Sequence, residues 1–228
     1  MIPIRDELPT RRFPIVTVFL ILANTVVFFY EVVLGPGREL FFFQAGLVPA
    51  LFWGKARVLY APFVPPPLTL VTSMFLHGSF FHLLSNMWYL WIFGNNVEDF
   101  LGRWRFILFY LGCGCVAGLS HALVFPTSLV PTIGASGAVA GVMGGYFLLF
   151  PGARIITLVF WGFFIEFLRI PAVVFLGFWI LLQIFYALVS LGFPGYGGIA
   201  WFAHVSGFVA GALWCKIIAS RMYRKYYW

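Results

Sequence analysis

The chain has 228 residues, of which 62% are hydrophobic and only 9% charged, and it carries a net charge of +7. Its 29 phenylalanines outnumber the 14 basic and 7 acidic residues taken together, whereas soluble domains are roughly 45–50% apolar and about 25% charged. This balance excludes a soluble globule, a disordered chain and an ordinary nucleic-acid binder; it leaves a multi-pass helical membrane protein, in which a basic excess collects in cytoplasmic loops.

Residues 1–12, MIPIRDELPTRR, are charged and proline-bearing and are expected to form a cytoplasmic tail. A membrane-crossing helix needs about 20 mostly apolar residues. Six segments are read as spans: Phe13–Leu34, Phe80–Phe93 with an extension to about Val97, Trp104–Val124, Gly134–Phe150, Pro171–Leu191 and Ile199–Ser220. No small-residue cleavage site follows the first, so it reads as a retained span and not as a signal peptide. The connection from Gly35 to Ser79 carries Pro36, Pro49, Pro62 and the run Pro65-Pro66-Pro67, so it cannot be one helix. Its Phe, Trp and Leu content predicts a compact structured loop lying partly in the interface. Ile155–Leu168 is apolar but 14 residues long, contains Glu166 and is bracketed by Arg154 and Arg169. Crossing would strand one arginine on the outer face, so an interfacial or hairpin-like segment at the cytoplasmic surface is expected. Residues 221–228 close the chain as a second cytoplasmic tail.

These elements make an all-α membrane protein: a six-transmembrane-helix bundle over residues 13–220 with a long structured first external loop. Both termini then share a side. Arg5, Arg11, Arg12, Arg103, Arg105, Arg154, Arg169, Lys216, Arg221, Arg224 and Lys225 lie inside, leaving Arg38, Lys55 and Arg57 outside. No internal repeat of the kind found in transporters is apparent. Cys113, Cys115 and Cys215 sit in apolar runs and read as small buried residues, not as a disulfide framework or a zinc site.

Polar residues inside spans are costly in lipid, so each asks for a reason. No HExxH motif occurs, and Asp6 and Asp99 are the only aspartates. A zinc protease and an aspartyl dyad across two spans are therefore unsupported. The second, fourth and sixth spans all run inward from the outer face. His82 and Asn86, Ser136 and His204 lie near their respective starts, hence at matching depth. A serine hydroxyl needs an adjacent base to act as a nucleophile, and imidazole is the usual one near neutral pH. Ser136 follows Gly134-Ala135 and precedes Gly137, where a substrate backbone can approach closely. The amides at a helix start suit a developing oxyanion. His82 and Asn86, four apart, project from one helix face, and Ser79 can cap that helix. Singly, each of these residues fits a packing or structural role; together they outline a site.

The residues carrying that outline resemble the rhomboid family of intramembrane serine proteases. The resemblance lies in HGSFFHLLSNMWYLWIFGNNVEDFLG (His77–Gly102), GRWRFILFY (Gly102–Tyr110), GASGAVAGVMGGY (Gly134–Tyr146) and AHVSGFVAG (Ala203–Gly211), in the family's order. It implies a rhomboid-like bundle in which Ser136 is the nucleophile and His204 the general base. His82 and Asn86, with the Ser136 amide, would hold the oxyanion, and Gly134 and Ala135 would contact substrate. The substrates would be transmembrane segments of other membrane proteins, and no metal or cofactor would be needed. Glu98, Gly102 and Arg105 would be structural. The loop Gly192–Gly198 would cover the site, and the fifth span, Pro171–Leu191, would help admit substrate. The chain departs from the family in two places. Trp53 and Arg57 are not adjacent, where some members carry a Trp-Arg pair. Ala140 stands where some members place an aromatic against the histidine, leaving Trp201 or Phe202 to support His204. With no aspartate available, the dyad would work alone. The short chain, with no appended soluble domain, leads to the expectation of a prokaryotic inner membrane with the site open to the outer face. Nothing in the sequence specifies an oligomeric state. Two other readings remain: a non-proteolytic rhomboid-like protein that binds transmembrane helices, and a small transporter or channel.

Overall fold

The computed structural model describes residues 1–56, 63–162, 164–192 and 198–227. Arg57 and most of the loop Gly192–Gly198 fall outside the described residues. Helices α1 (Ile15–Val33), α5 (Phe80–Leu101), α6 (Arg103–Val124), α7 (Ser136–Leu149), α8 (Ala172–Gly192) and α9 (Trp201–Tyr227) correspond one for one to the six apolar segments. Four of them, α1, α6, α8 and α9, are long and apolar enough to cross a membrane. A fifth such unit is α5 joined to Pro66–Phe75 across an 84° bend. Helix α7 has 14 residues, or about 21 Å at 1.5 Å per residue, shorter than a hydrocarbon layer of about 30 Å.

Short helical pieces fill the connection after α1: α2 (Arg38–Ala45), α3 (Pro49–Phe52) and α4 (Thr69–Thr72), with single turns at Gly35–Gly37, Pro66–Leu68 and Ser73–Phe75. Prolines sit at the starts of several of these pieces, where a missing N–H costs nothing. Arg38 ties the connection down: its guanidinium lies 3.6 Å from the buried Glu31 carboxylate of α1, donates to the His77 carbonyl and stacks over Phe42. Trp53 donates from Nε1 to the Ala122 carbonyl at 2.8 Å, fastening α3 to the end of α6.

The all-α expectation is corrected at one end of the bundle. Strands β1 (Ile2–Asp6), β2 (Arg154–Trp161) and β3 (Phe164–Pro171) form an antiparallel sheet in that order. Strands β2 and β3 are rich in β-branched and aromatic residues and turn at Gly162, which has φ +62°. The hairpin foreseen over Ile155–Leu168 thus exists as a β-hairpin, with Arg154 paired to Pro171 and Arg169 to Ile156 at its root. Part of the expected N-terminal tail is its third strand, with Ile2 opposite Leu158 and Asp6 opposite Ile155. Helix α9 runs on to Tyr227, past the expected end of the sixth span.

Two carboxylates lock this end, Glu98 buried and Asp6 half-buried. Helix α1 begins after Pro14 with no side-chain cap of its own and no acid in its first turn. Glu98 of α5 supplies the cap from outside: its oxygens accept from the amides of Val16 at 3.0 Å and Thr17 at 2.8 Å, and from the Thr17 hydroxyl at 2.8 Å. A carboxylate there answers both the free amides and the positive helix end. Asp6 Oδ2 accepts from Asn96 Nδ2 at 2.6 Å and from the Tyr146 hydroxyl at 2.7 Å, joining β1 to α5 and α7.

Burial holds the Asp6 carboxyl above the usual carboxylate range, against the opposing hydrogen bond from Tyr146. A raised folded-state pKa favours the neutral acid, so its contribution is full below the unfolded-state pKa and is lost as pH rises through the folded-state value. Asp6→Ala leaves the buried Tyr146 hydroxyl without an acceptor and Asn96 Nδ2 with Asn95 Oδ1 alone, a loss of about 1–3 kcal/mol. It is expected to speed deuterium exchange at the amides of Ile2–Asp6, whereas Asp6→Asn, which keeps an acceptor without the charge, should exchange at the wild-type rate at neutral pH. Unchanged exchange in the alanine variant would remove Asp6 as the anchor of β1.

Candidate active site

Helix α7 is buried along Gly137–Tyr146, with α6 on one side and α9 on another. Glycines bring these helices to backbone contact. A Cβ at Gly207 would collide with the Gly137 carbonyl, one at Gly211 with the Gly141 carbonyl, and one at Gly144 with the Phe208 carbonyl. On the α6 side, Cβ atoms at Gly137 and Gly141 would collide with Ala117 and Cys113. Small residues at such a crossing exchange side-chain volume for close backbone approach.

This contact brings Ser136 and His204 together. Ser136 precedes Gly137 and His204 lies one turn before Gly207, and His204 Nε2 stands 2.8 Å from Ser136 Oγ. The first amide of α7 to bond back into the helix is that of Val139, to the Ala135 carbonyl. The amides of Ser136, Gly137 and Ala138 thus have no partner within the helix. Gly134, at φ +119°, turns the chain into α7. Its amide donates to the Ser73 carbonyl at 2.9 Å, and just upstream Thr132 pairs with Leu47. The first connection therefore fixes the approach to Ser136.

His82 and Asn86 reach the same place from α5. A Cβ at Gly134 would lie 2.6 Å from His82 Nε2 and 3.8 Å from Asn86 Nδ2. Ser79 caps α5 as its position suggests, accepting from the His82 amide at 3.1 Å. Asn86 Nδ2 donates to the His82 carbonyl at 3.0 Å. Fully buried His77 packs edge-on against His82 with ring centroids 5.0 Å apart. Ser136, Gly134, His82, Asn86 and His204 all line one cavity of about 1170 Å³. Ala135, expected to contact substrate, is fully buried and is not among the residues that line this cavity. Among the described residues no three His, Cys, Asp or Glu side chains converge as a metal cage would require.

Two contacts on His204 escape the sequence reading. Gln183 Oε1 of α8 lies 2.8 Å from His204 Nδ1. Trp179, one turn earlier on the same helix, flanks the imidazole at 6.0 Å with an interplanar angle of 31°. The aromatic missing at Ala140 is thus supplied by α8. Trp201 meets the ring edge-on at 6.0 Å, whereas Phe202 packs on Phe125 instead. One sequence signal did point to Gln183: it is the sole amide or charged side chain in Pro171–Leu191.

A serine and a histidine thus lie in contact beside one cavity in a bundle of apolar helices. The rhomboid domain family model matches residues 67–221; the chain belongs to the rhomboid family. It is 35% identical over 114 residues to Rhomboid protein 1, mitochondrial, of Saccharomyces cerevisiae, covering 48% of this chain and 33% of that protein. It is 36% identical over 80 residues to the Putative rhomboid protease YdcA of Bacillus subtilis, covering 35% and 40%. It is 42% identical over 88 residues to Rhomboid-like protein 11, chloroplastic, of Arabidopsis thaliana, covering 39% and 31%. The chain spans 31–40% of the length of these relatives. Their names are mitochondrial, bacterial and chloroplastic, so they lend no support to the expectation of a prokaryotic inner membrane. The apolar helices and the family make this an integral membrane protein.

Gly211→Ala adds a methyl group against backbone that cannot rotate away, an overpacking cost of about 1–3 kcal/mol. The variant is expected to melt earlier and to lose labelling of Ser136 by a fluorophosphonate as α9 is pushed from α7. Gly37→Ala, where nothing lies within 4 Å of the added carbon, is the matched control and should change neither. Equal behaviour of the two variants would show that the helix contact does not hold the site.

Proposed function

We propose that the chain is an intramembrane serine endopeptidase that cleaves transmembrane segments of other membrane proteins through an acyl-enzyme. The observation that carries this reading is the 2.8 Å approach of His204 Nε2 to Ser136 Oγ at a cavity that His82, Asn86 and Gln183 also line. In it, α1, α5, α6, α7, α8 and α9 are six spans over residues 13–220, flanked by cytoplasmic ends. The connection after α1 is external. The short α7 stops inside the apolar layer, so its N-terminal end meets water only through the cavity. The arginine-bearing sheet marks the cytoplasmic side, and the cavity opens on the opposite face.

In this mechanism Ser136 Oγ attacks the scissile carbonyl carbon while its proton passes to His204 Nε2. The carbonyl oxygen becomes an oxyanion, received by the Ser136 amide and by His82 and Asn86. Collapse breaks the C–N bond, and the leaving amine takes the proton from His204. Water then attacks the acyl carbonyl carbon and gives a proton to His204; the second collapse breaks the C–Oγ bond, His204 returns that proton to Ser136 Oγ, and the new carboxylic acid leaves and ionises. Gly134 and Ala135 offer backbone to the substrate chain without side-chain bulk. A substrate helix has to unwind locally, because its carbonyls are already hydrogen-bonded, so helix-breaking residues near the cut should speed cleavage. No step calls for a metal or cofactor. The reaction's partners are transmembrane protein substrates and the surrounding lipid bilayer.

In proteoliposomes holding a generic single-span substrate, wild type is expected to cut and Ser136→Ala and His204→Ala are not. Cleavage by the serine variant would end the reading. No cleavage by any form, with no fluorophosphonate labelling of wild type, would replace it with a non-proteolytic helix-binding role. Asn86→Ala is expected to lower kcat by about 10²–10³ with little change in KM, since an oxyanion donor acts in the transition state. A change confined to KM would remove Asn86 from that role.

A further inference from the structure

A neutral imidazole has one N–H and one lone pair, on opposite nitrogens. His204 can take a proton from Ser136 only if Nε2 carries the lone pair, which puts the hydrogen on Nδ1. A buried N–H needs an acceptor, and Oε1 of Gln183 stands 2.8 Å from Nδ1. Gln183 is itself buried, on a helix long and apolar enough to cross a membrane. An amide in such a setting costs several kcal/mol unless it is bonded, which makes it a functional candidate by default. Trp179 is four residues earlier on the same face and closes off one side of the ring. The other titratable side chains lining this cavity are His82 of α5, Tyr89 of α5 and His121 of α6; the ring nitrogens of His204 bond instead to Gln183 and Ser136.

Resting on the dyad reading above, we propose that Gln183 is a positioning residue that holds His204 in the tautomer whose Nε2 faces Ser136. Its amide oxygen does what a carboxylate does in a three-residue array. It accepts Nδ1–H both before and after His204 gains the serine proton, without placing a formal charge in the apolar layer. The opposite amide orientation would aim an NH2 group at Nδ1 and put the hydrogen on Nε2, where it blocks proton uptake. Only the oxygen-facing arrangement supports the base.

The test separates hydrogen-bond acceptance from packing. Gln183→Met keeps length and apolarity but has only a weak thioether acceptor; Gln183→Glu keeps a strong acceptor but places an ionisable acid in the layer. Packing alone predicts the methionine variant to be the better enzyme. The expected result is the reverse: methionine lowers kcat about 10–100-fold, the worth of one hydrogen bond to a charged group, with KM unchanged, and glutamate stays within a few-fold of wild type. Fluorophosphonate labelling of Ser136, which needs no protein substrate, should fall with kcat. Full activity in the methionine variant, equal losses in both variants, or a loss confined to KM would overturn the proposal. The ring-nitrogen NMR signals of His204 in wild-type protein give a reading independent of any variant: hydrogen on Nδ1 is expected, and hydrogen on Nε2 would overturn it. Ser136→Ala, run alongside, distinguishes the two levels. Cleavage by that variant defeats the dyad itself, whereas its inactivity beside a fully active methionine variant defeats only the role of Gln183.

Discussion

The backbone contact of α7 with α9 is the constraint on which the rest depends. Gly137 faces Gly207 and Gly141 faces Gly211, with carbonyl oxygens where any side chain would have to go. Two helices that close leave no freedom in register, so the residues flanking the contact are fixed along with it. Ser136 and His204 are those residues, and their hydrogen bond follows from the packing. The same glycines let α6 approach α7 from its other side, which is why so short a helix can sit at the centre of the bundle.

A short central helix exposes its ends, and the surrounding elements attend to both. At one end β1 brings Asp6 to Tyr146 and Asn96, and Glu98 caps α1 across the gap between two helices. These polar groups are satisfied between elements that are far apart in sequence, so each hydrogen bond is also a tertiary tie. At the other end the connection after α1 is pinned by Arg38, Trp53 and the Leu47–Thr132 bridge, and it holds Gly134 in the strained turn before Ser136. The cavity is what remains above α7 once both ends are secured.

The treatment of charge follows from the solvent. An aspartate behind His204 would have to be desolvated in an apolar layer, at a cost of several kcal/mol. An amide offers an acceptor at far lower desolvation cost, and α8 presents one at hydrogen-bonding distance. The bundle keeps its buried carboxylates, Glu31 and Glu98, and the half-buried Asp6 towards helix ends or in the sheet, where backbone amides, a guanidinium or side-chain donors meet them.

Much of this was legible in the residues. Apolar length marks a helix wherever it occurs, so the six helical segments could be read one at a time. Ser79 before His82 is a local cap, and the positions of Ser136, His82, Asn86 and His204 near the starts of their apolar segments pointed to the one cavity they line. The hairpin was half visible, because two arginines bracket an apolar run too short to cross. Its strand character and the recruitment of Ile2–Asp6 were not, since strand pairing joins residues some 150 positions apart. Glu98 as the cap of α1, Trp179 in place of an aromatic at 140, and Gln183 behind His204 were decided only by how the helices rotate against one another. Sequence by itself determines the period, length and chemistry of each helix; which face of α8 turns towards α9, and therefore which side chain meets the imidazole, is fixed by packing among several helices at once.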